Sequence, residues 1–336
     1  MIQLSKVLII NTGGTIGMSN TAYGYAPDLE KFHENLNRMP ELRESELGEW
    51  NLIDMNPLLD SSNMTVDDWN KIGEIINGNY EVYDGFVILH GTDTMAYTAS
   101  VLSFMLENLG KPVIITGSQI PICEIRSDGK DNIIAALLIA TSGKVNEVCI
   151  YFRGELIRGN RAIKYSADGF MAFKSPNAPL LAEVGISIIY NDAVLLPKPA
   201  GAFHFQRLEK IPIGVIKVFP GIQFELFHNI MTESLKGVVI ETFGAGNIPG
   251  NASSLLPIIE KAFQNGTVVT ICTQCPQGTV MLGTYETSNL LSRAGAVSGK
   301  NMTTEAAVAK LYYLFSKGYD SNTICELMET NLRGEE

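Results

Sequence analysis

Apolar residues along this chain fall into short β-branched runs separated by stretches of helical period. The runs are KVLIIN (6–11), GFVILH (85–90), PVIIT (112–116), EVCIYF (147–152), IGVIKV (213–218), GVVIE (237–241) and TVVTIC (267–272). Each is apolar at odd and even positions alike, as expected of strands covered on both faces. The stretch 65–78 predicts a helix. Thr65 stands at its N-cap, Asp67 and Asp68 lie in the first turn where the helix dipole favours carboxylates, and Trp69, Ile72, Ile75 and Ile76 share one face. The stretch 94–110 predicts another, stopped by Gly110 with Pro112 beyond it, and 131–143 a third that ends on glycine.

Strands alternating with helices predict parallel sheets with helices on both faces. With 336 residues the chain exceeds a typical single domain. The expected fold is therefore two α/β domains. A larger N-terminal parallel-sheet domain spans 1–190 and a smaller C-terminal parallel-sheet domain spans 212–336. The stretch between them has no period and is rich in proline, so 191–211 reads as the connection.

Composition narrows the class. Hydrophobic residues make up 46% and charged residues 18%, enough apolar content for a sizeable core. A net charge of −11 argues against nucleic acid, whose phosphates need lysine and arginine. No run approaches the roughly 20 apolar residues of a membrane span. The N-terminal run is too short for a signal-peptide core followed by a cleavage site. Five scattered cysteines fit a reducing compartment, so the cytoplasm is the expected location.

In open α/β sheets, ligands sit beyond the carboxyl ends of strands. There this chain carries Thr12-Gly13-Gly14-Thr15, then Gly91-Thr92-Asp93-Thr94, then Gly117-Ser118-Gln119, and later Lys164 and Asp168. A phosphate cradle is a poor fit, because Gly13, Gly14 and Gly17 match neither glycine-rich phosphate spacing and no lysine follows. His33, His90, His204 and His228 show no metal-ligand pairing. Cys272 and Cys275 lack a second ligand pair, so no metal or cofactor is expected. A threonine nucleophile remains, and its hydroxyl needs a nearby base. Desolvation can suit a lysine to that task. Locally, Lys164 reads either as such a group, tuned by Asp93, or as a solvated loop lysine.

The pair INTGGTIG and GFVILHGTDTM resembles the two signatures of bacterial-type L-asparaginases. The likeness continues through PLLDSSNMT, PVIITGSQIP, RSDGKDN, RGNRAIKYSADGF, GAGN and NLRGE, covers nearly the whole chain, and is strongest to the cytoplasmic (type I) branch. It implies hydrolysis of L-asparagine to L-aspartate and ammonia through an acyl-threonine, with minor glutaminase activity. It implies that Thr15 attacks the side-chain amide, with Tyr25 (or Tyr23, if the register shifts by two) taking its proton. It pairs Thr92 with Lys164 and Asp93, gives Asp93 the substrate ammonium, and gives Ser61, aided by donors near Ser62, the α-carboxylate. Ser118 would contact the amide nitrogen through its carbonyl. Asn247 would reach the site from a neighbouring subunit of a dimer or dimer of dimers.

Other readings of these residues stay open. Gly13 and Gly14 could serve only the turn, Ser61 and Ser62 could cap a turn, and Tyr25 could be a packing aromatic. The chain keeps Thr273-Gln274-Cys275 of a family effector pocket but has Glu241 where an arginine is expected, so hyperbolic kinetics are expected. Two rival functions share the fold. An amidotransferase subunit would carry a further domain ahead of the first strand. A non-catalytic amino-acid-binding protein would lack Thr15, Thr92 or Lys164.

Overall fold

The run 6–11 lies within strand β1 (Lys6–Gly13), whose residues from Val7 onward are all buried, as a strand covered on both faces requires. The computed structural model describes residues 5–249, 254–283 and 286–336. They form two units, the first ending at Phe205 and the second beginning at Gln206.

The first unit is built on an eight-stranded sheet. Its strands are β1, β2 (Glu49–Leu59), β3 (Gly85–Leu89), β4 (Val113–Thr116), β5 (Val148–Phe152), β6 (Glu155–Arg158), β7 (Ala182–Val184) and β8 (Ile188–Tyr190). Their spatial order is β8-β7-β6-β5-β4-β3-β1-β2. The strands from β2 to β5 in that order pair in parallel. The remaining three extend the edge antiparallel, so this sheet is mixed and not wholly parallel. The reversal occurs at Arg153-Gly154, where both residues have positive φ (46° and 93°), the backbone of a two-residue hairpin turn. The added strands are only three or four residues long, and β6 and β7 carry charges, so they leave little apolar pattern to read.

Helix α1 spans Leu29–Asn37 and α2 spans Val66–Asn79. Thr65 is the N-cap of α2, and its N–H donates to the Asp68 carboxylate at 2.9 Å. Helix α3 (Met95–Met105) stops well before Gly110. Leu106 and Glu107 instead pair antiparallel with His204 and Phe205, so a contact distant in sequence overrides the local helical pattern. Helix α4 spans Gly129–Thr141. The segment following β8 lies on this unit. The Leu196 N–H donates to the buried Glu147 carboxylate at 2.9 Å, and the Phe203 ring stacks on Tyr80 at 3.7 Å.

The second unit holds a four-stranded parallel sheet of β9 (Ile213–Lys217), β10 (Gly237–Thr242), β11 (Val268–Thr273) and β12 (Val297–Ser298). Val238, Ile240, Val269 and Ile271 pack with Leu255 and Ile259 of α5 (Leu255–Gln264) in its core. Helices α6 (Glu286–Arg293), α7 (Thr304–Ser316) and α8 (Ser321–Met328) complete it. Lys310 on α7 is fully buried and pairs with the equally buried Glu335 at 2.7 Å. Its ammonium also donates to the carbonyls of Thr330 and Met328, which offsets much of the desolvation cost.

Candidate active site

The end of β1 is shaped by contacts that admit no side chain. Gly13 has φ +112°, and a Cβ there would lie 2.3 Å from the Leu59 carbonyl oxygen. Gly14 has φ +86°, and its Cβ would lie 2.3 Å from the Gly91 nitrogen. The loops after β1 and β3 therefore touch backbone to backbone, a closeness only glycine permits. Thr12 Oγ1 donates to the Leu89 carbonyl at 2.9 Å, and the Gly14 N–H to the Leu59 carbonyl at 3.1 Å. Thr15 opens a single 3₁₀ turn, Thr15–Gly17, and is half-buried. Its hydroxyl has no hydrogen-bond partner among the described residues.

The second loop carries Thr92, buried, and Asp93, exposed. Lys164 reaches both from a short hairpin in which Ile163–Lys164 pairs with Phe173–Lys174. Its Nζ donates to Thr92 Oγ1 at 3.0 Å and to Asp93 Oδ1 at 2.5 Å. Gln119 ties the same groups together. Its amide nitrogen donates to the Gly169 carbonyl at 2.9 Å, which turns its amide oxygen toward Thr92 Oγ1, 3.3 Å away. Thr92 thus gives its proton to Gln119 and accepts one from Lys164. Asp128, also buried, orients Gln119 by accepting from its N–H at 3.1 Å. Neither Gln119 nor Asp128 has a role that its local sequence alone would suggest. Their one signal was membership of the GSQ and RSDGKDN stretches.

Ser61 is buried against Gly91, where a Cβ would lie 2.5 Å from the serine oxygen. Thr94 Oγ1 holds the Ser61 carbonyl at 2.7 Å. Ser62 is exposed, and its N–H donates to the Asp60 side chain at 3.1 Å, so the 61–63 segment is also a capped turn. Ser118 is buried, and its hydroxyl finds no partner among the described residues. Tyr25 sits on the hairpin Met18–Thr21/Gly24–Pro27. Its hydroxyl donates to Glu124 Oε1 at 3.4 Å, and the Glu124 charge pushes the phenol pKa up. Tyr23, on the same hairpin, is fully exposed.

Asn247 belongs to the second unit, where the turn after β10 closes by paired hydrogen bonds between Phe243 and Asn247. In that unit Glu241 accepts from Thr304 Oγ1 at 2.6 Å and faces Lys217 at 3.9 Å. Gln274 donates to the Glu241 carbonyl at 2.8 Å. Burial pushes the Cys272 thiol up to about 12, leaving it unreactive. Among the described residues no group of three or more His, Cys, Asp or Glu side chains is arranged to hold a metal, and no helix is long and apolar enough to cross a membrane.

Comparison with known proteins agrees with this architecture. The family model for Asparaginase, N-terminal, matches residues 6–195, and that for the Glutaminase/Asparaginase C-terminal domain matches residues 212–328. The chain is 46% identical to L-asparaginase 1 of Escherichia coli over 334 residues, covering 99% of this chain and 98% of that protein. The crystal structure of L-asparaginase I from Vibrio cholerae superposes with a TM-score of 0.91 at 43% identity, over 99% of both chains. The thermostable L-asparaginase from Thermococcus kodakarensis superposes at 0.88 with 32% identity, over 98% of both. Fold and sequence together define an amidohydrolase built from two α/β units. The chain belongs to the asparaginase family.

Proposed function

We propose that the protein hydrolyses L-asparagine to L-aspartate and ammonia through an acyl-threonine, with L-glutamine as a minor substrate. The observation that carries this reading is Lys164 bonded to both Thr92 and Asp93, on a loop whose Gly91 backs directly onto Gly14, next to Thr15. A lysine held this way is not a solvated loop residue. The unpaired hydroxyls of Thr15 and Ser118 further support a polar ligand here, since such groups ordinarily find partners.

The Asp93 carboxylate, exposed on one side and held by Lys164 on the other, receives the substrate ammonium. Ser61, aided by donors near Ser62, receives the α-carboxylate, and the Ser118 carbonyl the amide nitrogen. Thr15 Oγ then attacks the amide carbon. Its proton passes to the Tyr25 oxygen as Tyr25 gives its own hydroxyl proton to the Glu124 carboxylate it faces, and the relay runs back to the departing ammonia. Backbone N–H groups at the strand ends stabilise the oxyanion. Ammonia leaves with a proton, and water cleaves the acyl-threonine. Lys164, donating to Thr92 Oγ1, holds that hydroxyl to orient and polarise the water. The same reading places the protein in the cytoplasm as a dimer or dimer of dimers, with Asn247 of a neighbouring subunit completing each site. The capped turn at 61–63 and the Tyr25–Glu124 contact are compatible with these roles.

The test is ammonia release from L-asparagine by the purified protein, beside Thr15→Ala and with L-glutamine for comparison. Strong release that is lost in the variant is expected. A folded wild-type protein that releases none from either substrate overturns the reading.

A further inference from the structure

His90 has no part in the chemistry above, yet its ring is fully buried and bonded at both nitrogens. Trp69 Nε1–H, from α2, donates to Thr98 Oγ1 of α3 at 3.0 Å. An indole nitrogen only donates, so the Thr98 hydroxyl proton is left for His90 Nε2, 2.9 Å away. His90 Nδ1 lies 2.7 Å from the Gly91 carbonyl oxygen, a group that only accepts. The proton therefore sits on Nδ1, and the ring is the Nδ1–H tautomer. Burial keeps it neutral, with a pKa pushed down to about 4.

This chain of bonds grips one end of the Gly91–Thr92 peptide. The peptide is trans, so the Thr92 N–H points away from the imidazole. That N–H makes no hydrogen bond to any described residue. The rest of the loop has no slack. A Cβ at Gly91 would strike Ser61, one at Gly14 would strike Gly91, and one at Gly117 would lie 2.2 Å from the His90 carbonyl oxygen.

We propose that the Trp69–Thr98–His90 chain aims the Thr92 N–H at the oxyanion, making His90 a positioning residue that never touches substrate. This rests on the hydrolysis proposed above.

The test uses two substitutions of similar size. His90→Asn leaves an amide N–H near the place of Nδ1, and His90→Gln puts its amide near Nε2 and loses the bond to Gly91. If aim matters, kcat for L-asparagine falls on the order of 100-fold in His90→Gln with KM within about twofold, and His90→Asn stays within about tenfold of wild type. Equal losses in the two, a greater loss in His90→Asn as packing alone would give, or a change confined to KM overturns the proposal. Thr98→Val and Thr98→Ser repeat the test one link back. Valine should lower kcat and serine restore it, and a pair that behaves alike overturns the relay even where a His90 variant does not fold. Nitrogen-15 NMR of the wild-type ring is independent of activity. The Nδ1–H tautomer is expected and the Nε2–H tautomer overturns the relay. An inactive wild type showing the expected tautomer would instead overturn the hydrolytic reading.

Discussion

Gly14 and Gly17 stand three residues apart in the same loop, and substituting each by alanine separates two explanations for glycine there. At Gly14 the backbone has φ +86°, and a new Cβ would lie 2.3 Å from the Gly91 nitrogen and 2.4 Å from its Cα. The left-handed conformation costs about 1–2 kcal/mol. Overlap with backbone that cannot rotate away adds about 1–3 kcal/mol. Gly14→Ala should therefore destabilise the protein by about 2–5 kcal/mol, lowering Tm by roughly 4–20 °C for a unit of this size. It must also push the loops carrying Thr15 and Thr92 apart by about 1 Å, and a misplacement of that size costs on the order of 100-fold in kcat. At Gly17 the Cβ would meet only the Phe32 ring at 3.7 Å, an ordinary contact, with no positive φ. Gly17→Ala should leave Tm within a few degrees or raise it slightly, through the lower entropy of the unfolded chain. Differential scanning calorimetry and an ammonia-release assay on both variants decide the matter. A Gly14→Ala protein with wild-type Tm and kcat, or a Gly17→Ala protein equally damaged, would refute the claim that loop contact requires Gly14.

Lys164→Met should lower kcat by about 10²–10⁴-fold, and Lys164→Arg should not restore it, since a planar guanidinium cannot reproduce both short bonds; full activity in either variant would remove Lys164 from the site. The buried His90 ring refuses a proton until about pH 4, whereas the unfolded chain accepts one near pH 6.5. Its contribution is thus fully present above about pH 6.5 and falls as pH drops toward 4. Urea unfolding at pH 7.5 and 4.5 should show the stability advantage of wild type over His90→Asn narrowing by about 2–3 kcal/mol at the lower pH; a constant gap would count against a neutral buried ring. Glu335→Gln removes the carboxylate 2.7 Å from the buried Lys310 ammonium and leaves Glu336, 3.9 Å away, as its nearest counter-charge; it should cost about 3 kcal/mol in thermal or denaturant unfolding, so a loss below about 1 kcal/mol would show that the pair is solvated. Because Glu241 presents a carboxylate where an arginine was expected, initial rates should rise hyperbolically with L-asparagine; a clearly sigmoidal curve in the oligomer would contradict this.

What the sequence determined on its own is whatever depends on neighbours a few residues apart. The β-branched runs marked β1, β3, β4, β5, β9, β10 and β11 but not the edge strands β2 and β12, Thr65 and the aspartates after it marked the start of α2, and TGGT and HGTD marked the strand ends where ligands gather. These signals are local because strand burial, capping and turn chemistry act over a few residues. Tertiary structure decided the rest. Helix α3 ends early because Leu106 and Glu107 pair with residues almost a hundred positions away. The sheet turns antiparallel after β5 because Arg153 and Gly154 take positive φ, and β6 to β8, at three or four residues each, are too short to show a period. From the sequence Gly14 reads either as a turn residue or as a point of close approach, and only the fold shows that the Gly91 backbone packs against it. Gln119 and His90 lie inside the GSQ and HGTD stretches, but nothing in those stretches names their partners. Their bonds run to groups brought close by sheet order and helix packing, and that proximity exists only once the chain has paid its conformational entropy and closed around its core.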